Sequence, residues 1–292
     1  MDILTFDIEE WFAEETLYGN REEKYAVYDN YLNRILDLLD ASNKKATFFC
    51  VGKLVPKYSS VIKLIADRGH EVGCHSNEHK FLNKMTHQEV LEDTKAAVDA
   101  IEQVVGRKVI SYRAPAFSIG ENNKWVFEIL AECGIERDAS VFPAVRDFGG
   151  FDTFRSQVPC VVEYSGIQIK EFPICMTNLL GHRVAYSGGG YFRFFPLLFV
   201  SKRMKKGDYA MAYFHIGDLI VDTKSVMTKE EYESYFKEPG TLMNRYKRYL
   251  KDNIGKKNTF KKMSRLIRQT DFIGLDAADS FIDWSKTPHI KL

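Results

Sequence analysis

The apolar positions of this chain change period several times, and each change marks a predicted element. Ile3, Leu4 and Phe6 form a short apolar run that stops at Asp7, Glu9 and Glu10, which predicts a buried first strand ending in acids. Leu32, Ile35, Leu36 and Leu39 recur at helical spacing between Asp29 and Asp40, the stripe of an amphipathic helix laid on a sheet. The run ATFFCV, Ala46 to Val51, predicts a second buried strand. Val61, Leu64 and Ile65 make the next helical stripe, Gly69 closes it, and a strand leads to His75. Thr86 with Glu89 is a capping box that opens a helix through Val90, Ala97 and Ile101 to Gly106. A strand near Val109 to Tyr112, a helix around Asn123 to Cys133 stopped by Gly134, and a strand around Ile135 to Asp138 continue the alternation. Strands and helices alternating at this spacing imply βαβ units and a parallel sheet.

Beyond Phe142 the pattern loosens. VPCVVEYSGIQIKEFPI predicts a hairpin turning at Ser165 and Gly166, Ser187 to Pro196 a glycine-rich loop, and Met211 to His215 a strand ending in histidine. Leu242 to Ile254 and Phe260 to Ile267 read as helices, and Asp271 to Leu275 as a last strand.

With 292 residues, 45% of them hydrophobic, the chain can bury a barrel-sized core. A formal net charge of +1 gives no global field that would favour nucleic acid. Cys50, Cys74, Cys133, Cys160 and Cys175 are odd in number and widely spaced, which reads as buried thiols in a reducing compartment. The opening MDILTFDIEEWF has neither a basic n-region nor a long apolar stretch, and no 18-residue apolar span follows. The expectation is a soluble, cytoplasmic protein.

Chemistry concentrates where apolar runs stop. Asp7, His75, Arg113 and Asp138 each end such a run, and in a parallel sheet those ends gather on one face. Side chains alternate along a strand, so Asp7 and Glu9 point the same way if the first strand continues that far. His75 and His79 share a face if one helical turn follows the strand, and two such imidazoles plus a carboxylate can chelate one divalent ion. His215, a lone histidine after a strand, would on that ground alone be structural.

Five segments occur in a fixed order: TFDIEE at Thr5 to Glu10, HSNEH at His75 to His79, RAPAF at Arg113 to Phe117, DASVFP at Asp138 to Pro143, and the late His215. In them the chain resembles the polysaccharide deacetylases of the NodB-homology type, carbohydrate esterase family 4. It is especially similar to a subgroup with an acid, one residue and a second acid in the first motif, then GGGYFR, here Gly188 to Arg193, and a YFH strand, here Tyr213 to His215. The resemblance spans nearly the whole chain and is strongest over residues 1–145. It implies an α/β fold built as a distorted (β/α) barrel of seven or eight strands. One domain would cover 1–292, with 1–145 the motif-bearing half and 146–292 the remaining barrel and C-terminal region.

The activity this implies is removal of acetyl groups from N-acetylated sugars of a polysaccharide, oligosaccharide or lipid-linked glycan, with carbohydrate as the partner. It implies a zinc ion, or another divalent transition metal, held by Glu9, His75 and His79. Many members have adjacent aspartates in the first motif, whereas here Ile8 separates Asp7 from Glu9, which keeps Glu10 open as the carboxylate ligand. Asp7 is then the general base, Arg113 keeps it ionised and oriented, the backbone N–H of Ala116 faces the oxyanion, and His215 is the general acid. Ser76 braces the histidine loop, Asp138 orders the segment around Ser140, and either Asp138 or Asp218 contacts His215. Trp11, Phe117, Phe142, Tyr191 and Phe192 are aromatic candidates for stacking on sugars, core packing being the commoner role for each.

Two other readings compete: a hydrolase of C–N bonds in small cyclic amides, and a non-catalytic carbohydrate-binding relative, against which the intact Asp7, His75, His79 and Arg113 count. Separately, Arg245 to Arg268 holds ten basic residues around the single acid Asp252, with Leu250, Phe260, Met263, Leu266 and Ile267 interleaved. This stretch reads as a solvated face or as a weak contact with anionic membrane.

Overall fold

The computed structural model describes residues 1–18, 21–146, 148–221 and 225–292. Its main sheet is assembled from β1 (Asp2–Ile8), β2 (Thr47–Cys50), β3 (Glu71–Cys74), β4 (Ser111–Tyr112), β5 (Arg137–Asp138), β6 (Cys160–Tyr164), β7 (Ile167–Glu171), β10 (Ala210–His215), β11 (Phe272–Ile273) and β12 (His289–Lys291). A separate two-stranded ribbon is made by β8 (Met176–Leu179) and β9 (His182–Ala185). The order is β10-β1-β2-β3-β4-β5-β7-β6-β12, with β11 paired to β1. From β10 to β7 every ladder is parallel, and the β6–β7 hairpin reverses direction. Ile3, Leu4, Phe6 and Ile8 are buried, so both faces of β1 are covered, as a parallel sheet requires.

Among the described residues no ladder joins β10 to β12, so hydrogen bonding leaves the barrel open. The chain that follows β7 reaches β10 through one isolated backbone bridge, Gly188 to Tyr213, and through side chains. Tyr209 Oη donates to Pro173 O at 2.8 Å, the Met211 amide to Cys175 Sγ at 3.4 Å, and Ser187 Oγ to Met211 O at 2.6 Å. This is the distortion of the expected barrel: seven parallel strands, and a seam closed by polar contacts around Cys175 and Ser187.

Helices α1 (Glu10–Tyr18), α2 (Glu22–Ala41), α3 (Val55–Asp67), α4 (His87–Val105) and α5 (Val126–Glu132) follow the early strands. The Thr86–Glu89 capping box is formed in full, and Gly106 ends α4 at φ 66°. Ser165 and Gly166, at φ 46° and 85°, make the two-residue turn between β6 and β7. The glycine-rich segment expected as a loop is instead α6 (Gly189–Phe194), with Gly188 at its N-cap. A Cβ on Gly188 would lie 2.2 Å from the Tyr213 ring, so that glycine is there for close approach rather than looseness.

The later helices are α7 (Leu197–Met204), α8 (Ile216–Leu219), α9 (Lys229–Phe236), α10 (Leu242–Asn253), α11 (Thr259–Gln269) and α12 (Leu275–Phe281). They divide the basic stretch that the sequence presents as one face. On α11, Met263, Leu266 and Ile267 are core residues, and Lys262 Nζ is turned inward onto the carbonyls of Phe192 and Phe195. α10, in contrast, buries none of its residues.

Candidate active site

The parallel ladders bring the C-terminal ends of β1, β3, β4 and β10 together around a cavity of about 740 Å³. Asp7 lies opposite His215 in the β1–β10 register. Its carboxylate is buried, and Oδ1 accepts from Arg113 Nη1 at 2.8 Å. Arg113 is fully buried, placed by its own amide bond to Cys74 O at 2.9 Å. It also donates to Thr5 Oγ1 at 2.8 Å and Ala139 O at 3.2 Å, and stacks 4.4 Å from the Phe49 ring centroid. A guanidinium held in this way can keep a buried partner carboxylate oriented.

Glu9, His75 and His79 converge beside Asp7, with one ligand atom of each within 4.8 Å of the others. Glu9 Oε2 is 2.5 Å from His79 Nε2 and 3.4 Å from His75 Nε2. The two histidines do not meet through the helical turn expected of their spacing. Residues 75–80 are irregular, and the reversal is made by Ser76 at φ 60° and His79 at φ 51°. Ser76 braces the turn as expected, its Oγ accepting the His79 amide at 2.9 Å, while both oxygens of Asp93 accept the amides of Asn77 and Glu78 at 2.7 and 3.0 Å. These local bonds replace the helix as the device that points both rings at one place.

The donor set fits a divalent metal. His75 Nδ1 is 2.7 Å from Arg113 O, which fixes the proton on Nδ1 and leaves the Nε2 lone pair facing Glu9. His79 Nε2 is buried without a hydrogen bond of normal geometry among the described residues, and its Nδ1 is 3.4 Å from Tyr235 Oη. Two imidazoles and one carboxylate, the far side of each ring braced, are the three-ligand arrangement that zinc and similar ions take in open sites. Glu10 turns away, Oε1 accepting the Gly217 amide at 2.5 Å, so of the two glutamates it is Glu9 that groups with the histidines.

On the opposite wall, His215 Nε2 lies 3.5 Å from Asp7 Oδ2 and 3.9 Å from Glu9 Oε1. Its Nδ1 is 3.0 Å from Asp218 Oδ2, and Asp218 Oδ1 is 3.1 Å from Arg193 Nε. Asp218 is thus the partner of His215; Asp138 is occupied elsewhere, bonding Ser140 Oγ at 2.5 Å. Ser140 Oγ in turn accepts the Ala114 amide at 2.7 Å, so Asp138 steadies the RAPAF turn. Burial disfavours a charged imidazole at His215, but Glu9, Asp218 and Asp7 outweigh it and push its pKa up to about 10. Burial likewise opposes ionisation of Glu9 and Asp218, yet His79 and His215 hold Glu9 far down, and His215 and Arg193 hold Asp218 down. Glu10, buried and beside Glu9, is raised to about 7.

The cavity wall separates the aromatic candidates. Phe117 and Tyr191 line it, whereas Trp11 is buried with its Nε1 on Asp29 Oδ1 at 3.1 Å, and Phe192 packs edge-on to Phe214. Phe142 is buried against Phe117. Ala116 adopts φ 52° at the cavity edge, and the next two amides bond back to Ala114 and Pro115. Sequence reasoning gave Arg193 and Tyr235 no role and counted Arg248 only within the basic stretch, although all three line the cavity. Arg193 alone had a signal, its place in the GGGYFR segment.

Residues 3–137 match the family model described as polysaccharide deacetylase, and residues 139–279 one described as a domain of unknown function, DUF3473. The models meet at the end of β5, yet β6, β7 and β10 extend the sheet that β1 to β5 begin. The chain is 30% identical over 115 residues to a peptidoglycan-N-acetylglucosamine deacetylase of Bacillus cereus, covering 37% of this chain and 42% of that protein. It is 29% identical over 104 residues to the peptidoglycan-N-acetylmuramic acid deacetylase PdaA of Bacillus subtilis, covering 33% and 40%. The match therefore spans about two fifths of the length of these curated relatives. A crystal structure from Mycobacterium smegmatis, provisionally assigned as a polysaccharide deacetylase, superposes with a TM-score of 0.64 at 17% identity, covering 100% of this chain and 92% of that one. At that identity the likeness speaks for the α/β fold. The family model matched over residues 3–137 assigns that part of the chain to the polysaccharide deacetylase family, and the shared α/β fold extends along the rest.

Proposed function

We propose that the chain is a metal-dependent carbohydrate N-deacetylase that hydrolyses the acetamide of an N-acetylated sugar residue in a glycan. The observation that carries this reading is the grouping in one cavity of a clamped carboxylate, a three-ligand cluster and a histidine charged by its neighbours. The relatives named for peptidoglycan amino sugars support the substrate class.

Glu9, His75 and His79 would hold the ion, zinc or another divalent transition metal, which when bound supplies Lewis acidity to a water and to the acetyl carbonyl. The rest of the work belongs to side chains. Asp7 Oδ2, the oxygen not engaged by Arg113, accepts the proton of the attacking water. The Ala116 N–H faces the developing oxyanion. As the C–N bond breaks, His215 Nε2 gives its proton to the departing sugar amine, and Asp218 with Arg193 stabilises the imidazolium that precedes transfer. Acetate and a free amine result.

The test is release of acetate from N-acetylglucosamine oligomers by metal-loaded protein, run beside a panel of lipid-linked N-acetyl sugars and small cyclic amides. Acetate release that disappears on chelation and returns with added zinc supports the assignment. Turnover of cyclic amides alone would move it to the competing C–N hydrolase, and a metal-loaded protein inert on every member of the panel would favour a binding module.

A further inference from the structure

The mouth of the cavity is bordered by apolar side chains that point into solvent. Val145, Leu179, Phe194 and Ile254 all line the cavity and all are exposed, Phe194 at 65%. Leu180, next to Leu179 at the tip of the β8–β9 ribbon, is 94% exposed at φ 50°, a conformation that favours glycine or asparagine over leucine. Four residues beyond Phe194, in the next helix α7, Leu198 is 80% exposed and shares a shallow cleft with Lys202, Lys205 and Lys206.

α10 adds a second apolar stripe. Leu242, Tyr246, Leu250 and Ile254 follow one another at four-residue spacing, all exposed. The helix is anchored to the site by its C-terminal end, where Arg193 donates to Lys251 O at 2.6 Å and Asp252 O at 2.7 Å. Single exposed apolar residues need no explanation, but Leu179, Phe194 and Ile254, from the β8–β9 ribbon, α6 and the end of α10, stand exposed around one opening and mark an interaction surface.

The surrounding charge selects the partner. Lys202, Lys205, Lys206, Lys247 and Lys257 are exposed and make no ion pair among the described residues, while Asp252 is tied to Arg248 at 3.0 Å. A second copy of this face would bring lysines against lysines. An anionic bilayer complements both properties, taking apolar side chains into its interface and attracting lysines that lie within a Debye length of about 10 Å. We propose that this rim is an interfacial docking surface that seats the cavity mouth on anionic lipid. If the deacetylase reading holds, the preferred glycan is then one carried at the bilayer surface.

The experiment is flotation of the full chain with vesicles of phosphatidylcholine alone or with phosphatidylglycerol, at low and high salt. The expected result is binding only where phosphatidylglycerol is present, weakened by salt. Leu180→Ser, Leu198→Ser and Leu242→Ser combined should lower the bound fraction about tenfold or more, and Lys202→Glu with Lys206→Glu should remove most of the salt-sensitive part. None of these five positions lines the cavity, so acetate release from soluble oligomers should stay at the wild-type rate. No binding by the wild type, or binding indifferent to all the substitutions, would overturn the proposal. So would a wild-type dimer that the leucine substitutions convert to monomer. Flotation needs no turnover, so a chain that floats but releases no acetate would sink the catalytic reading and leave the docking surface standing.

Discussion

The two sides of the cavity are built by different means. The side formed by β1, β3 and β4 is buried and over-determined: Asp7, His75 and Arg113 are at most 2% exposed, and each is bonded to another polar group or to backbone. The side formed by His215, α6 and α10 is assembled from later helices around one charged chain, Asp218 to Arg193 to the end of α10, with apolar side chains left outward. The reacting groups need fixed positions and low dielectric, which strand ends supply. The groups that meet a large substrate need access, which a rim supplies at a cost in burial.

Breaking the rigid side should have the largest consequence. His79→Ala removes one of the three ligands proposed; metal content and acetate release should fall together to background, and full metal occupancy in that variant would refute the ligand set. Asp7→Asn should keep the metal but lose about 10² to 10⁴ in rate, since an amide cannot take the water proton. His215→Ala, on the looser side, should lose a similar factor on amide substrates and much less on acetyl esters, whose leaving group needs less protonation. Equal losses on both substrate types would give His215 a structural role and erase the contrast between the two walls.

Smaller effects test the scaffold beneath. His70 is fully buried with Nε2 unpaired among the described residues, and burial, aided by Lys45, lowers its pKa to about 4. Its unfolded pKa is near 6.5, so between those values the unfolded chain takes up a proton that the fold refuses. Stability should therefore be full above pH 6.5 and fall by roughly 2 kcal/mol on the way to pH 4, a loss that His70→Phe should reduce in urea titrations. Thr86→Ala removes the hydroxyl that accepts the Glu89 amide in the α4 capping box, while the backbone bond from residue 86 to Glu89 remains, and should cost about 1 kcal/mol with the rate unchanged. Neither change touches the cavity, so a shift in rate from either would mean that the scaffold and site are less separable than their contacts indicate.

Residues 1–145 were legible because their information is local. Apolar runs such as Ile3 to Phe6 and Ala46 to Val51 became strands, and the polar residues at their ends met because parallel strands share a direction. The failures lie where a distant partner decides. Gly188 to Arg193 has the composition of a loop, but Tyr213 packs on Gly188 and a helix forms. His75 and His79 have helical spacing, yet Asp93 and Ser76 make a tighter turn. Lys262 reads as a surface cation until two carbonyls of another helix accept its protons. Asp138 and Asp218 are indistinguishable in sequence as partners of His215, and only the three-residue spacing from strand end to α8 favours the second.

Arg193 binds these regions into one unit, touching Asp218 with one edge and the last carbonyls of α10 with the other. Anyone exchanging parts among relatives inherits that joint. A chimaera cut between residues 193 and 242 would pair His215 and Asp218 with a foreign helix end, and should lose the alignment of His215 even with every other cavity residue retained. The workable unit of exchange is the entire segment from α6 through α10, moved with its own rim and its own substrate preference.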